Sequence, residues 1–182
     1  MSALFTPLTL RDVDFRNRLW VAPMCQYSVE LRDGVPTDWH LVHLGGFALG
    51  GAGLVMTEAT AVNAVGRISP QDTGIWNDEQ RDAWARIVEF IRAQGAVAGI
   101  QLAHAGRKGS TYRPWAETHG TVPPAEGGWQ AVAPSAIAFD GYAEPRALDT
   151  AELAGIVADF VAGARRALAA GFELLEIHAA HG

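Results

Sequence analysis

At 182 residues, 49% hydrophobic and 19% charged, the chain is long enough to bury a sizeable core within one domain. A net charge of −6 with no basic stripe argues against a nucleic-acid footprint, and no apolar run approaches the roughly 18 residues of a membrane span. The single Cys25 excludes an intrachain disulfide, and the first residues, with Asp12 and Asp14 soon after Met1, lack a signal-peptide layout, so a cytoplasmic location is expected.

Leu8-Thr9-Leu10 and Val13-Asp14-Phe15 alternate around a charged turn and predict a small hairpin acting as lid or plug. Arg18 to Met24 reads as a buried strand that Pro23 must end, because proline has no N–H for a ladder. Cys25-Gln26-Tyr27-Ser28 then forms a polar strand-end loop. A helix is expected from Asp38 to Leu49, closed by Gly50-Gly51, and Leu54 to Ala59 is the next strand. The glycine run at Gly50, Gly51 and Gly53 lies between helix and strand, the wrong order for a dinucleotide phosphate loop, and reads as a turn.

Asn77-Asp78-Glu79 opens a second helix with Trp84, Ile87, Val88 and Ile91 at helical spacing and Gly95 past its end. Val97 to Ala103 is a third strand. The irregular segment 105–148, with five prolines and Tyr112, Trp115 and Trp129, far exceeds the usual limit of about 12–15 residues for a structureless connection and predicts an ordered lid over the substrate pocket. Asp149 with Glu152 is a capping box, after which Leu153, Ile156, Val157, Phe160, Ala164 and Leu168 share one helical face. Gly171 ends that helix, and Phe172 to Ile177 is a fourth strand stopping on His178-Ala179-Ala180-His181.

Strict continuation of the strand would point His178 and His181 opposite ways, so joint action requires a turn that the two alanines permit. The His-x-x-His spacing alone fits equally a pair of unrelated strand-end histidines. A zinc site is disfavoured, because Cys25 stands alone and no third ligand cluster accompanies the pair. Four alternating β/α steps imply an α/β fold with a parallel sheet, open or closed into a barrel. Each strand's carboxyl end carries polar or reactive groups: Cys25 and Tyr27, Thr57 and Glu58, Gln101 and His104, His178 and His181. Ligands bind at that end of parallel α/β sheets.

With these residues assembled, the chain resembles the old yellow enzyme family of flavin-dependent alkene reductases, in its bacterial cysteine-bearing branch that includes xenobiotic reductases. The likeness runs through Leu4 to Leu8, Ala22 to Ser28, Glu58 to Val62, Gly66 to Ile68, Gly99 to Lys108, Ala133 to Phe139 and Glu176 to Gly182, in that order. It implies a TIM (β/α)8 barrel, of which residues 1–182 are the amino-terminal half: about the first four β/α units plus the hairpin. It also implies FMN as cofactor, NADPH or NADH as hydride donor and an α,β-unsaturated carbonyl compound as acceptor. Carried over residue by residue, Ala22, Pro23, Met24 and Cys25 border the flavin ring, Ala59 lies against it, and Gln101 hydrogen-bonds its pyrimidine edge. Cys25 tunes the flavin. His178 and His181, with Ala179 and Ala180 between them, hold the substrate carbonyl, Tyr27 contacts the substrate from the other side, and Lys108 is a candidate for flavin or lid contact.

In this family the proton-donating tyrosine follows the second histidine after one glycine, a place beyond Gly182, as are the later flavin arginine and the phosphate site. A complete barrel needs about 250 residues. The alternative expectation is therefore a truncated or split half-barrel without activity of its own, dependent on a homo-oligomer or a complementary half-barrel chain because its edge strands want partners.

Overall fold

The computed structural model describes residues 2–181; Met1 and Gly182, the latter closing the histidine motif, lie outside them. β1 (Leu8–Leu10) and β2 (Val13–Phe15) form the antiparallel hairpin, Leu8 pairing with Phe15. Phe15, 1% exposed, packs with Leu54, Met56, Val97 and Leu174, so the hairpin plugs the amino-terminal end of the main sheet. β3 is shorter than its apolar run suggests: only Trp20–Val21 pair in the ladder, and the chain leaves it before Pro23.

α1 (Asp38–Leu49) and α2 (Asp78–Ala93) flank β4 (Leu54–Ala61), and β5 (Val97–Ala103) follows. The start of α2 is fixed by a reciprocal cap, in which Asn77 Oδ1 accepts the Gln80 N–H at 2.8 Å and Gln80 Oε1 accepts the Asn77 N–H at 3.3 Å. Asn77→Ala removes the acceptor for an otherwise orphaned helical N–H and is expected to cost about 1 kcal/mol in urea unfolding.

The long segment after β5 is ordered around two short parallel strands, β6 (Val132–Ala133) and β7 (Arg146–Ala147). α3 (Thr150–Ala169) then leads, through Gly171 at φ +94°, into β8 (Leu174–Ile177). The main sheet is parallel throughout, in the order β3-β4-β5-β8. Its alternation is clean: Leu54, Met56 and Leu174 face the hairpin side, while Val55, Ala98, Ile100 and Leu102 join Trp84, Ile87, Val88 and Ile91 beneath the helices.

Two features depart from simple periodicity. The first is a β-bulge in β4: Met56 pairs with Gly99 and Ala59 with Gln101, so Thr57 and Glu58 together oppose Ile100. The Gln101 N–H, which the irregular ladder leaves over, donates to Thr57 Oγ1 at 3.3 Å. Parity flips across the bulge, and Ala59 lands on the same face as Gln101. The second is the rotation of α3. Phe160 and Ala164 meet the core as expected, but Gly163 and Ala167 are its buried residues, whereas Val157 and Leu168 are 64% and 58% exposed. A Cβ on Gly163 would sit 3.2 Å from Val62 Cγ1. Small residues thus let the helix backbone approach closely, and that approach outweighs burial of the larger stripe.

Candidate active site

Because the four sheet strands are parallel, the residues that follow them gather at one edge. The segment after β3, running from Ala22 to Ser28, carries no regular structure. Within it Tyr27 adopts φ +50°, left-handed backbone uncommon for a residue with a Cβ. Cys25 is half-buried, and its thiol is pushed up to about 12, first by burial and then by the charge of Asp72, with the Ala59 backbone opposing. It is a neutral thiol at physiological pH. Burial likewise raises the Tyr27 hydroxyl above its ordinary value, and Trp115 from the lid meets its ring edge-on at 5.6 Å.

His178 and His181 are brought together by a turn after Ile177. Their rings lie 4.7 Å apart at 73°, and His178 Nε2 is 3.0 Å from His181 Nδ1. One of these nitrogens must donate and the other accept. A neutral pair therefore spends one ring proton internally and presents a single N–H outward. Presenting two requires one ring to be protonated. Lys108 Nζ donates to His181 O at 2.6 Å and stands 4.3 Å from the centre of the Phe139 ring, which makes it a link between the histidine turn and the lid.

A cavity of about 510 Å³ lies between these groups, lined among others by Tyr27, Ile68, His104, Tyr142, His178 and His181. Ala179 also lines it. Tyr142 and Ile68 carried no role in the sequence reading, and His104 entered it only as one of the polar groups at the strand ends; an aromatic in a polar loop was the available signal for Tyr142. Of the lid aromatics expected at the pocket, only Trp115 reaches one of its walls, by its contact with Tyr27. Trp129 is instead hydrogen-bonded to Val65 O at 2.9 Å and stacked on Arg67, and Tyr112 donates to Glu126 Oε2 at 2.8 Å. Their polar tips found partners elsewhere, which is what fixed them there.

The face below opens as a second concavity of about 500 Å³, lined by Ala22, Pro23, Leu54, Met56 and Glu176 with neighbours from β3 and β8. Gln101 sits on this face, and its Nε2 donates to Glu176 Oε1 at 2.5 Å. Its carbonyl Oε1 remains as an acceptor. Small residues at Ala22 and Ala59 and a free amide carbonyl are compatible with a flat heteroaromatic ring carrying an N–H. Among the described residues, no three His, Cys, Asp or Glu side chains gather as a metal site.

Behind Cys25, Asp72 is fully buried, accepting Ile68 N–H at 2.6 Å and Ser69 Oγ–H at 3.0 Å. Burial, reinforced by the charge of Glu58, raises its carboxyl from 3.8 to about 7. The folded chain then holds this proton where the unfolded chain releases it, so the Asp72 contribution to stability is present below pH 3.8 and is lost as pH rises to about 7. Urea titrations between those limits should show a shallower decline for Asp72→Asn than for the parent; equal slopes would remove Asp72 from the account.

These features define a partial (β/α)8 barrel of the old yellow enzyme kind, and solved structures share it. Morphinone reductase superposes with a TM-score of 0.81 at 33% identity over 98% of this chain and 48% of its own, and an old yellow enzyme homologue from Zymomonas mobilis with 0.79 at 33% over 97% and 48%. The chain belongs to the NADH:flavin oxidoreductase / NADH oxidase family, whose sequence model matches residues 3–182. An NADPH dehydrogenase of Listeria welshimeri is 50% identical over 183 residues, covering 100% of this chain and 49% of the relative. An NADH:flavin oxidoreductase of Gibberella zeae is 49% identical, covering 98% and 44%. The chain thus spans about half the length of the curated relatives it matches. Among the described residues, no helix is long and apolar enough to cross a membrane.

Proposed function

We propose that residues 1–182 are the amino-terminal half of an FMN-dependent oxidoreductase that passes hydride from NADPH or NADH to the alkene of α,β-unsaturated carbonyl compounds. What supports the reading is a cavity at the carboxyl edge of one parallel sheet whose walls include Tyr27, His178 and His181, in a chain of this family. When bound, FMN supplies two-electron redox chemistry, coupling oxidation of a reduced nicotinamide to reduction of an activated alkene.

The residues of this chain do the rest. Ala22, Pro23, Met24 and Ala59 would border the FMN ring, Gln101 Oε1 would accept from its pyrimidine edge, and the Cys25 thiol would adjust its electron affinity without adding charge. The outward N–H of the His178–His181 pair polarises the substrate carbonyl, where negative charge grows as hydride reaches the β-carbon. Ala179 and Ala180 keep the turn low enough for that oxygen to approach. Tyr27 closes the opposite wall.

A second reading has its own observation. Among the described residues β3 pairs only with β4 and β8 only with β5, so both edges of the sheet offer unpaired backbone groups, with Ile177 largely and Trp20 partly exposed. On this reading the chain works only when a second copy or a complementary half-barrel supplies the adjoining strands. A cytoplasmic site of action goes with either reading.

FMN titration of the purified chain, followed by absorbance and fluorescence and then by anaerobic NADPH with cyclohexenone as acceptor, separates them. Tight binding with reoxidation by the enone supports the enzyme. Free-flavin spectra without turnover, persisting when the chain is concentrated, favour dependence on a complementary chain.

A further inference from the structure

Glu58 and His40 are 3% and 1% exposed, yet neither lines the cavity that holds Tyr27 and the histidine pair. A carboxylate so far from water needs partners, and its partners define its use. His40 is the third residue of α1, and its Nδ1 accepts the Thr37 N–H at 2.9 Å. With that lone pair engaged, the ring proton belongs on Nε2, which makes a close 3.0 Å charge-to-dipole contact with Glu58 Oε1 without the alignment of a hydrogen bond. The other carboxylate oxygen accepts the Gln26 N–H at 2.7 Å. Gln26 stands between Cys25 and Tyr27.

One carboxylate thus joins the first turn of α1 to the backbone of the loop that carries both candidate site residues. The bulge at Thr57-Glu58 is what frees Glu58 from regular alternation, letting it reach the helix and the loop together. Two further ties reach the loop and its end: Arg113 Nη1 donates to Tyr27 O at 3.3 Å and the Val29 N–H to Gln71 O at 3.0 Å. Neither holds Cys25 or Gln26, and the remaining side-chain bonds, Gln26 Nε2 to Met24 O at 2.8 Å and Ser28 Oγ to Gln26 O at 2.9 Å, stay within the loop. Tyr27's left-handed backbone persists only where its surroundings over-determine it.

We propose that Glu58, held by His40, is a positioning residue that fixes the Cys25–Tyr27 loop and thereby the placement of the thiol and the phenol. The catalytic meaning of that placement rests on the proposed FMN-dependent function; the tether itself does not. Glu58→Gln must turn its amide NH2 toward one of two donors, Gln26 N–H or His40 Nε2–H, so one link breaks. His40→Leu removes the N–H that faces Glu58. His40→Gln can keep both links, as Gln80 does in α2, where Oε1 takes the N-cap N–H and Nε2 donates to Asp33 O at 2.8 Å.

Cys25 is the sole cysteine, so its alkylation reports the loop directly. In the full chain, with folding checked by near-UV circular dichroism, Glu58→Gln and His40→Leu should label about tenfold faster than the parent, because the loop opens locally without global unfolding. His40→Gln should label at the parental rate. In flavin-loaded protein, Glu58→Gln should move the flavin midpoint potential in the same direction as Cys25→Ser. Hydrogen exchange of the Gln26 amide in the unmodified chain needs no variant and should match the slow amides of β4. Loop-like exchange at Gln26, or parental labelling in folded Glu58→Gln and His40→Leu, overturns the proposal. Absence of FMN binding by the parent would count against the proposed function alone, since labelling and exchange still decide the tether.

Discussion

On the proposed function, replacing His178 and His181 together by alanine in flavin-loaded protein is expected to slow enone reduction by about 10²–10³-fold while leaving the oxidation of NADPH nearly unchanged. The asymmetry follows from where charge develops. In that reaction hydride arriving at the β-carbon would drive electron density onto the carbonyl oxygen, and the outward N–H of the pair would be the donor that meets it. Transfer from nicotinamide to flavin places no charge on that oxygen. Because the rings are bonded to each other at 3.0 Å, each also holds its partner in register and tautomer. The single variants should therefore lose nearly as much as the double, the non-additivity of groups that act as a unit. Stopped-flow measurement of the two half-reactions checks this; an unchanged rate with enone would remove the histidines from the site.

The second large effect is on folding. Trp84→Ala is expected to cost about 3–5 kcal/mol in urea unfolding. Trp84 is 0% exposed and sits where three parts of the fold meet: His40 of α1 and Phe172 at the entrance to β8 each meet its ring edge-on, at 6.1 and 5.9 Å. Its Nε1 donates to Gly74 O at 3.1 Å, so truncation leaves a cavity and an unpaired buried carbonyl at once. Trp84→Phe restores most of the volume but not the donor, and should recover most of the loss.

Much of this architecture could be read from the residues because local signals agreed. α1 runs from Asp38 to Leu49, α2 starts after Asn77, α3 starts after Asp149 and β5 spans Val97 to Ala103, each as capping, glycine stops and apolar runs require. What escaped was set by contacts distant in sequence. The α3 face turned because Gly163 fits against Val62, a contact across a hundred residues. The bulge in β4 has no local marker beyond a polar Thr57-Glu58 pair inside an apolar strand. That anomaly was visible, since a glutamate in a buried strand demands a partner, but nothing near it in sequence points to His40. The mutual hydrogen bond of the histidines depends on how the chain turns after Ile177, which spacing does not determine.

The bulge also governs what kinds of change this fold can absorb. Substitution at Ala59 alters one contact on the concave face and leaves the neighbouring order intact. Loss of a single residue at Thr57 or Glu58 would instead restore regular pairing, leaving Ala59 opposite Gln101 but removing the extra residue that lets the Glu58 side chain reach both the helix and the loop. At this point of the chain residue count matters as much as residue identity, because the extra residue sets the reach of Glu58. Insertions and deletions should therefore spare this segment and collect in the lid.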